Sequence, residues 1–101
     1  MASSVIEDRT RFGTVQTISL ATSWTAPCDG IVIHNVDWTS GSDGYEYIKD
    51  ETSNSYVALI SHYGSLGQRL EGTSFPVLKG HSYKVTLANQ VGARTSYFYP
   101  L

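Results

Sequence analysis

The chain has 101 residues and a formal net charge of −2 at pH 7, with seven Lys and Arg against nine Asp and Glu. This length provides for one domain, and the basic residues are scattered singly, so no basic stripe of the kind that binds nucleic acid is present. No run of residues approaches the ~20 apolar residues of a membrane span or forms the apolar core of a secretory signal. We therefore expect a soluble protein without a signal peptide or membrane insertion.

The predicted elements are short strands, and the first covers residues 15–20. It follows the turn signal at Gly13 and alternates in polarity, with Gln16, Ile18 and Leu20 on one side. A period of two residues is typical of a strand with one covered face.

The central part of the chain contains three further predicted strands. Residues 31–36 form a β-branched run after the Pro-Cys-Asp-Gly turn at residues 27–30. Residues 45–49 alternate after the Gly- and Ser-rich loop at residues 40–44. Residues 56–63 are almost continuously apolar, which predicts a central strand that is covered on both faces.

The last predicted strands end the chain in an aromatic-rich segment. Pro76 cannot donate a ladder hydrogen bond, so the strand at residues 73–77 is expected at a sheet edge or a bulge. Residues 82–87 alternate in polarity, and residues 96–100 close the chain with three aromatic side chains. No segment has an apolar face at helical spacing.

Together these patterns predict an all-β fold, a jelly-roll-like antiparallel β-sandwich of about eight short strands. We expect an N-terminal arm at residues 1–12 and a single sandwich domain at residues 13–101. Cys28 is the single cysteine, which excludes an intrachain disulfide, and it is expected to be a half-buried thiol.

Three stretches carry a resemblance to a known family: Trp24–Gly30 (WTAPCDG), Phe75–Val85 (FPVLKGHSYKV) and Ser96–Leu101 (SYFYPL). In order and spacing, residues 7–101 resemble the tip domains of bacteriophage tail fibres. The resemblance implies a homotrimeric head with a jelly roll similar to that of tumour necrosis factor and C1q. It also implies a location on the virion, contacts with other virion proteins, and attachment to a host surface glycan or outer-membrane protein.

The residue types needed for catalysis or metal binding lack the required spacing. The three histidines, His34, His62 and His81, fall in separate segments without metal-ligand spacing, and His62 is expected to be a hydrogen-bonded surface residue. Serine, histidine and aspartate occur without the Gly-x-Ser-x-Gly pattern of hydrolases. We therefore expect no catalytic residues, no enzyme activity and no metal site.

The carboxylates have simpler explanations than catalysis or calcium binding. A domain of this size rarely forms the cleft in which two carboxylates cleave a glycosidic bond. The oxygen-rich loop from Asp37 to Asp43 misses the EF-hand spacing, and an Asp-Gly turn explains Asp43. The carboxylates that could in principle form such a catalytic pair are Asp37, Asp43, Glu46 and Asp50. No cofactor is expected.

The candidate ligand-binding residues are aromatic side chains that flank polar loops. Indole and phenol rings stack on sugar rings, and a nearby carboxylate accepts bonds from sugar hydroxyls. The residues that fit this description are Trp24, Trp38, Asp43, Tyr45 and Tyr47. The competing interpretation is that these aromatics pack in the core or between subunits.

Two alternatives to a receptor-binding head remain open at this stage. A structural virion protein, such as a capsid decoration or fibre-capping protein, would use the same sandwich for assembly, and the absence of stalk-like triplets or heptads favours it. A stand-alone carbohydrate-binding module of cellular origin would be a monomer or a secreted trimer.

Overall fold

A computed structural model of the chain describes residues 13–38, 42–89 and 91–101. The predicted N-terminal arm, residues 1–12, lies outside the described residues. The strands are β1 (Gln16–Ile18), β2 (Trp24–Thr25), β3 (Gly30–Trp38), β4 (Gly44–Asp50), β5 (Ser55–His62), β6 (Arg69–Val77), β7 (Ser82–Asn89) and β8 (Val91–Pro100). One turn of 3₁₀ helix follows β5, and no helix in the described part of the chain is long and apolar enough to cross a membrane.

The strands form two antiparallel four-stranded sheets that pack face to face. The first sheet has the order β1-β8-β3-β6, and the second has the order β2-β7-β4-β5. Neighbours such as β3 and β8, or β4 and β7, are distant in sequence, as in a long hairpin that has been rolled up into two layers. The predicted all-β, jelly-roll-like sandwich is confirmed.

Alternation of side chains decides which residues enter the space between the sheets. Along β3 every second residue is fully buried, from Gly30 to Trp38. Along β4 the inward residues include Glu46, Ile48 and Asp50, and the residues between them face outward. The interior is therefore built from period-two patterns in both sheets.

The interior has one large apolar cluster and a smaller one. The large cluster comprises Leu20, Ala26, Val32, Ile48, Phe75, Val77, Tyr83, Val85 and Phe98. The small cluster consists of Val36, Trp38 and Ile60. At Gly30 an added Cβ would meet the Tyr99 carbonyl oxygen and lie 2.6 Å from Cε1 of Phe98, so only glycine permits this approach of β3 and β8.

The fold agrees with the predictions for the strand around Pro76 and for Cys28, and it contradicts the prediction for residues 56–63. The strand around Pro76 does lie at a sheet edge, as predicted. The prediction that residues 56–63 form a central strand is wrong, because β5 is the edge strand of the second sheet. Its continuous apolarity arises from side chains on the outer face, where Leu59 is 54% exposed. Cys28 is half-buried, as predicted.

Candidate binding surface

The outer face of the second sheet displays tyrosines. Tyr45 and Tyr47 occupy outward positions of β4, on either side of the buried Glu46. Because the cross-strand partners of Tyr47 are Leu59 on β5 and Leu87 on β7, apolar side chains flank the ring on both sides.

A bulge in β5 adds a third tyrosine to this face. Ile48 pairs with Ala58, but the next residue of β4, Lys49, pairs with Tyr56, so one residue of β5 is left over. The extra residue shifts the alternation of β5, and Tyr56 joins Leu59 on the outer face. Strict alternation from Ile60 would have turned Tyr56 inward. Sequence reasoning missed Tyr56 because no residue pattern in this segment marks the bulge.

The three rings contact one another in a row, which we call the tyrosine ladder (Tyr45, Tyr47 and Tyr56). The centroids of Tyr45 and Tyr47 lie 5.7 Å apart at 73°, and those of Tyr47 and Tyr56 lie 5.5 Å apart at 66°. Such edge-to-face contacts are the favoured geometry of aromatic pairs. The Lys49 ammonium lies 5.6 Å from the Tyr56 centroid, which adds a cation–π contact at the end of the row.

The ladder is amphipathic and open to solvent. Tyr56 is 55% exposed, and the exposed Leu59 and Leu87 provide apolar surface beside the rings. Ser61 and Asn89 flank Tyr45 on the neighbouring strands and supply hydrogen-bonding groups. A surface of ring faces with polar groups at its margin can cover the C–H face of a sugar and bond its hydroxyls.

The other residues that the sequence suggested lie elsewhere. Asp43 is exposed and accepts a 2.6 Å bond from the Gly64 N–H, so it supports the 3₁₀ turn. Trp24 is half-buried and packs edge-on against Phe98 at 4.9 Å. The prediction that Trp38 is a ligand-binding residue is wrong, because its ring is fully buried and stacks on His62 at 5.3 Å and 8°. No face of that indole is open to a ligand.

A row of polar side chains crosses the interior beneath the ladder. The Ser96 hydroxyl lies 2.6 Å from Nδ1 of His34, Nε2 of His34 contacts Oε1 of Glu46, and Nε of Arg94 donates to Oε2 of Glu46 at 2.5 Å. Nε2–H of His34 donates to the carboxylate, and Nδ1 shares a hydrogen bond with the Ser96 hydroxyl. We call this row, Ser96, His34, Glu46 and Arg94, the polar array.

The array stabilises a buried negative charge. Burial alone raises the pKa of Glu46, but the hydrogen bonds and charges of His34 and Arg94 outweigh it, so the pKa is lowered from its ordinary value. Serine, histidine and glutamate also occur in hydrolase triads. Here, however, His34 and Ser96 are buried, and the hydroxyl contacts Nδ1 while the carboxylate contacts Nε2, the reverse of the triad arrangement.

The remaining histidines are also paired with carboxylates. Nδ1 of His62 lies 3.0 Å from Oε2 of Glu71, and His62 is buried, so its prediction as a surface residue is wrong. Nδ1 of His81 lies 2.7 Å from Oδ2 of Asp50. Burial raises the pKa of Asp50, yet the bonds from His81 and Ser53 lower it overall. Within the described residues no group of three or more His, Cys, Asp or Glu is arranged to hold a metal ion.

Comparison of the chain with protein-family models, with curated proteins and with solved structures finds no match.

Proposed function

We propose that this chain is the receptor-binding head of a bacteriophage tail fibre, a homotrimer that attaches the virion to a glycan on the host surface. The observation that carries the proposal is the tyrosine ladder, a row of three rings in contact on the outer face of a jelly roll, of which Tyr45 and Tyr56 are exposed and Tyr47 is half-buried. Two of its three residues, Tyr45 and Tyr47, were expected from the sequence to contact a ligand.

The shape of the ladder supports an extended ligand. It is an open sheet face, and a flat surface of this kind offers limited affinity for a single small molecule, because most ligand pockets are concave. A polysaccharide with repeated sugar units contacts several rings at once. Three copies of the face in one trimer would raise the effective affinity through avidity.

The opposite outer face of the sandwich supports the trimer. On the first sheet, Ile31 pairs with Tyr99 and Ile33 with Tyr97, and all four side chains are half-buried on the side away from the core. Such a mixture of aliphatic and aromatic residues is typical of the core of a subunit interface. We assign this face to subunit contacts and leave the ladder for the receptor.

The proposal is tested first by the solution mass and then by binding. Light scattering at micromolar concentration is expected to report a mass of about three times 11.1 kDa. The fluorescently labelled trimer is then applied to intact bacteria and to an array of bacterial surface polysaccharides. A stable monomer would overturn the trimeric head, and binding to virions alone would favour a structural virion protein.

The ladder is tested by paired variants. Tyr47→Ala and Tyr56→Ala remove outward rings, and each is expected to weaken polysaccharide binding by up to about tenfold, since aromatic contacts contribute roughly 0.5–1.5 kcal/mol beyond area burial. Tyr63→Ala is the matched control, because Tyr63 is 69% exposed and has no ring contact in the ladder. Equal binding by all three variants would exclude the ladder as the receptor site.

A further inference from the structure

A pocket lies at the edge of the sandwich, away from the tyrosine ladder. Its volume is about 190 Å³, and it is lined by Ala21, Val85, Thr86, Ala88 and Arg94. Pockets for drug-sized ligands have roughly 300–1,000 Å³, so this one is suited to a single small group or sugar unit.

The strand order explains why the sandwich is open here. Among the described residues, β2 pairs with β7 at Ser82 and Tyr83, and no other described strand lies beside β7 on that side. Further along β7, the Val85 N–H donates a 2.8 Å bond to the Leu20 carbonyl. Ala88 pairs with the inward-facing Glu46, and therefore it also points into the space between the sheets.

Arg94 enters the same space from the opposite sheet. It pairs with the buried Val36, so its side chain points inward, where Nε donates to Glu46. Its side chain is 32% exposed, whereas that of Glu46 is fully buried. The guanidinium therefore has one edge bound in the interior and the other at the pocket.

The free edge of the guanidinium is suited to an oxyanion. Arginine has five N–H donors in a rigid fork, and the polar array engages Nε. Within residues 13–38, 42–89 and 91–101 the Nη groups of Arg94 have no hydrogen-bond partner. Ser96 contacts His34, and His34 contacts Glu46, which binds the Arg94 side chain. Because these contacts hold the arginine in place, little rotamer entropy is lost when a ligand binds.

We infer that this pocket binds an oxyanion through the Nη groups of Arg94. The identity of the oxyanion rests on the proposed function: it is the carboxylate or phosphate group of an acidic surface polysaccharide. The Thr86 hydroxyl offers a further hydrogen bond, and the methyl groups of Ala21 and Ala88 contact the carbon skeleton. The pocket lies on the interior side of β7, whereas the ladder lies on the outer face of β4 and β5. The two sites are therefore separate.

The test uses amide chemical shifts of the full chain during titration with three probes: glucuronate, inorganic phosphate and glucose. We expect saturable shifts at Thr86, Ala88 and Arg94 with an oxyanion and none with glucose. A response to glucuronate alone would identify a carboxylate site, and a response to phosphate alone would identify a phosphate site. Absence of saturation with both anions would overturn the inference.

The variants separate binding from folding. Arg94→Lys keeps the charge but loses the fork, and it is expected to weaken oxyanion binding at least tenfold. If that variant does not fold, Ala88→Leu fills the pocket without removing a member of the array and is expected to abolish binding. Ala93→Leu is the matched control, because Ala93 is an exposed neighbour that does not line the pocket. Unchanged binding in Ala88→Leu would place the anion elsewhere.

The ladder provides the remaining control. Tyr47→Ala is expected to leave oxyanion titration unchanged, since its ring lies on the other side of the sheet. Loss of polysaccharide binding in Tyr47→Ala with intact oxyanion binding would show that the two sites act independently. Loss of both in a folded variant would contradict a separate pocket.

Discussion

The two halves of the interior differ in the side chains at the inward positions of their strands. In one half these side chains are apolar, and in the other they are polar and hydrogen-bonded. On β3, Val32 enters the large apolar cluster, and two residues further on His34 enters the polar array. On β4 the same change occurs between Ile48 and Glu46. Apolar burial is non-directional and tolerates small shifts, whereas each member of the array needs a partner at a defined place. The alternation of side chains along a strand therefore determines which residues are buried, but not whether they make apolar or polar contacts.

The apolar half is expected to give the largest loss of stability. Phe98 is fully buried and packs edge-on against Trp24, so Phe98→Ala creates a cavity and should lower the free energy of unfolding by about 4 kcal/mol. Denaturant titration measures this value. Thr95→Ala, an exposed position of the same strand, is the control and should change it by less than about 0.5 kcal/mol. A loss below about 1 kcal/mol at Phe98 would show that this half is not tightly packed.

Substitutions in the polar half are expected to lower the free energy of unfolding by less, and the effects of two such substitutions are expected to be strongly coupled. Glu46→Leu leaves Arg94 and His34 without their shared partner and should cost about 3 kcal/mol, because removal of one member of a buried pair leaves the other unpaired. Adding Arg94→Leu should recover about 1 kcal/mol of that loss. Denaturant titration of both single variants and the double variant completes the cycle. Strict additivity would show that the array is not an energetic unit.

Acid is expected to have the smallest effect on stability, and it acts through two buried carboxylates, Glu46 of the polar array and Asp50 outside it. The pKa values of Glu46 and Asp50 are lowered from 4.5 and 3.8, so the unfolded chain binds more protons than the folded chain below these values. The free energy of unfolding is therefore expected to be level above about pH 5 and to fall as the pH drops through the folded pKa values.

Variants identify the groups behind this acid response. Asp50→Asn should flatten part of the decline between about pH 4 and pH 2, since the amide does not titrate. Glu51→Gln, an exposed neighbouring carboxylate, should leave the profile close to that of the parent chain. An identical decline in Asp50→Asn would remove Asp50 as a contributor.

The strand pattern was predictable, and the site was predictable in part. Alternation at residues 31–36 and 45–49 indicated β3 and β4 and placed Tyr45 and Tyr47 on one face. Trp38 was misassigned because a tryptophan beside a polar loop has the same local pattern whether it is buried or exposed. The bulge that adds Tyr56 depends on how β5 pairs with β4, which no local pattern records.

By itself, the sequence determined the approximate number and position of the strands, the alternation along β4, and the edge position of the strand containing Pro76. These features depend on neighbouring residues along one segment, where side chains alternate with a period of two. The tertiary structure alone decided that β5 is an edge strand, and it alone brought Ser96 and Arg94 to Glu46. Both outcomes require strands that are far apart in the chain to pair in one register. The free energy of that pairing depends on contacts between distant segments, so the residues of one segment do not predict it.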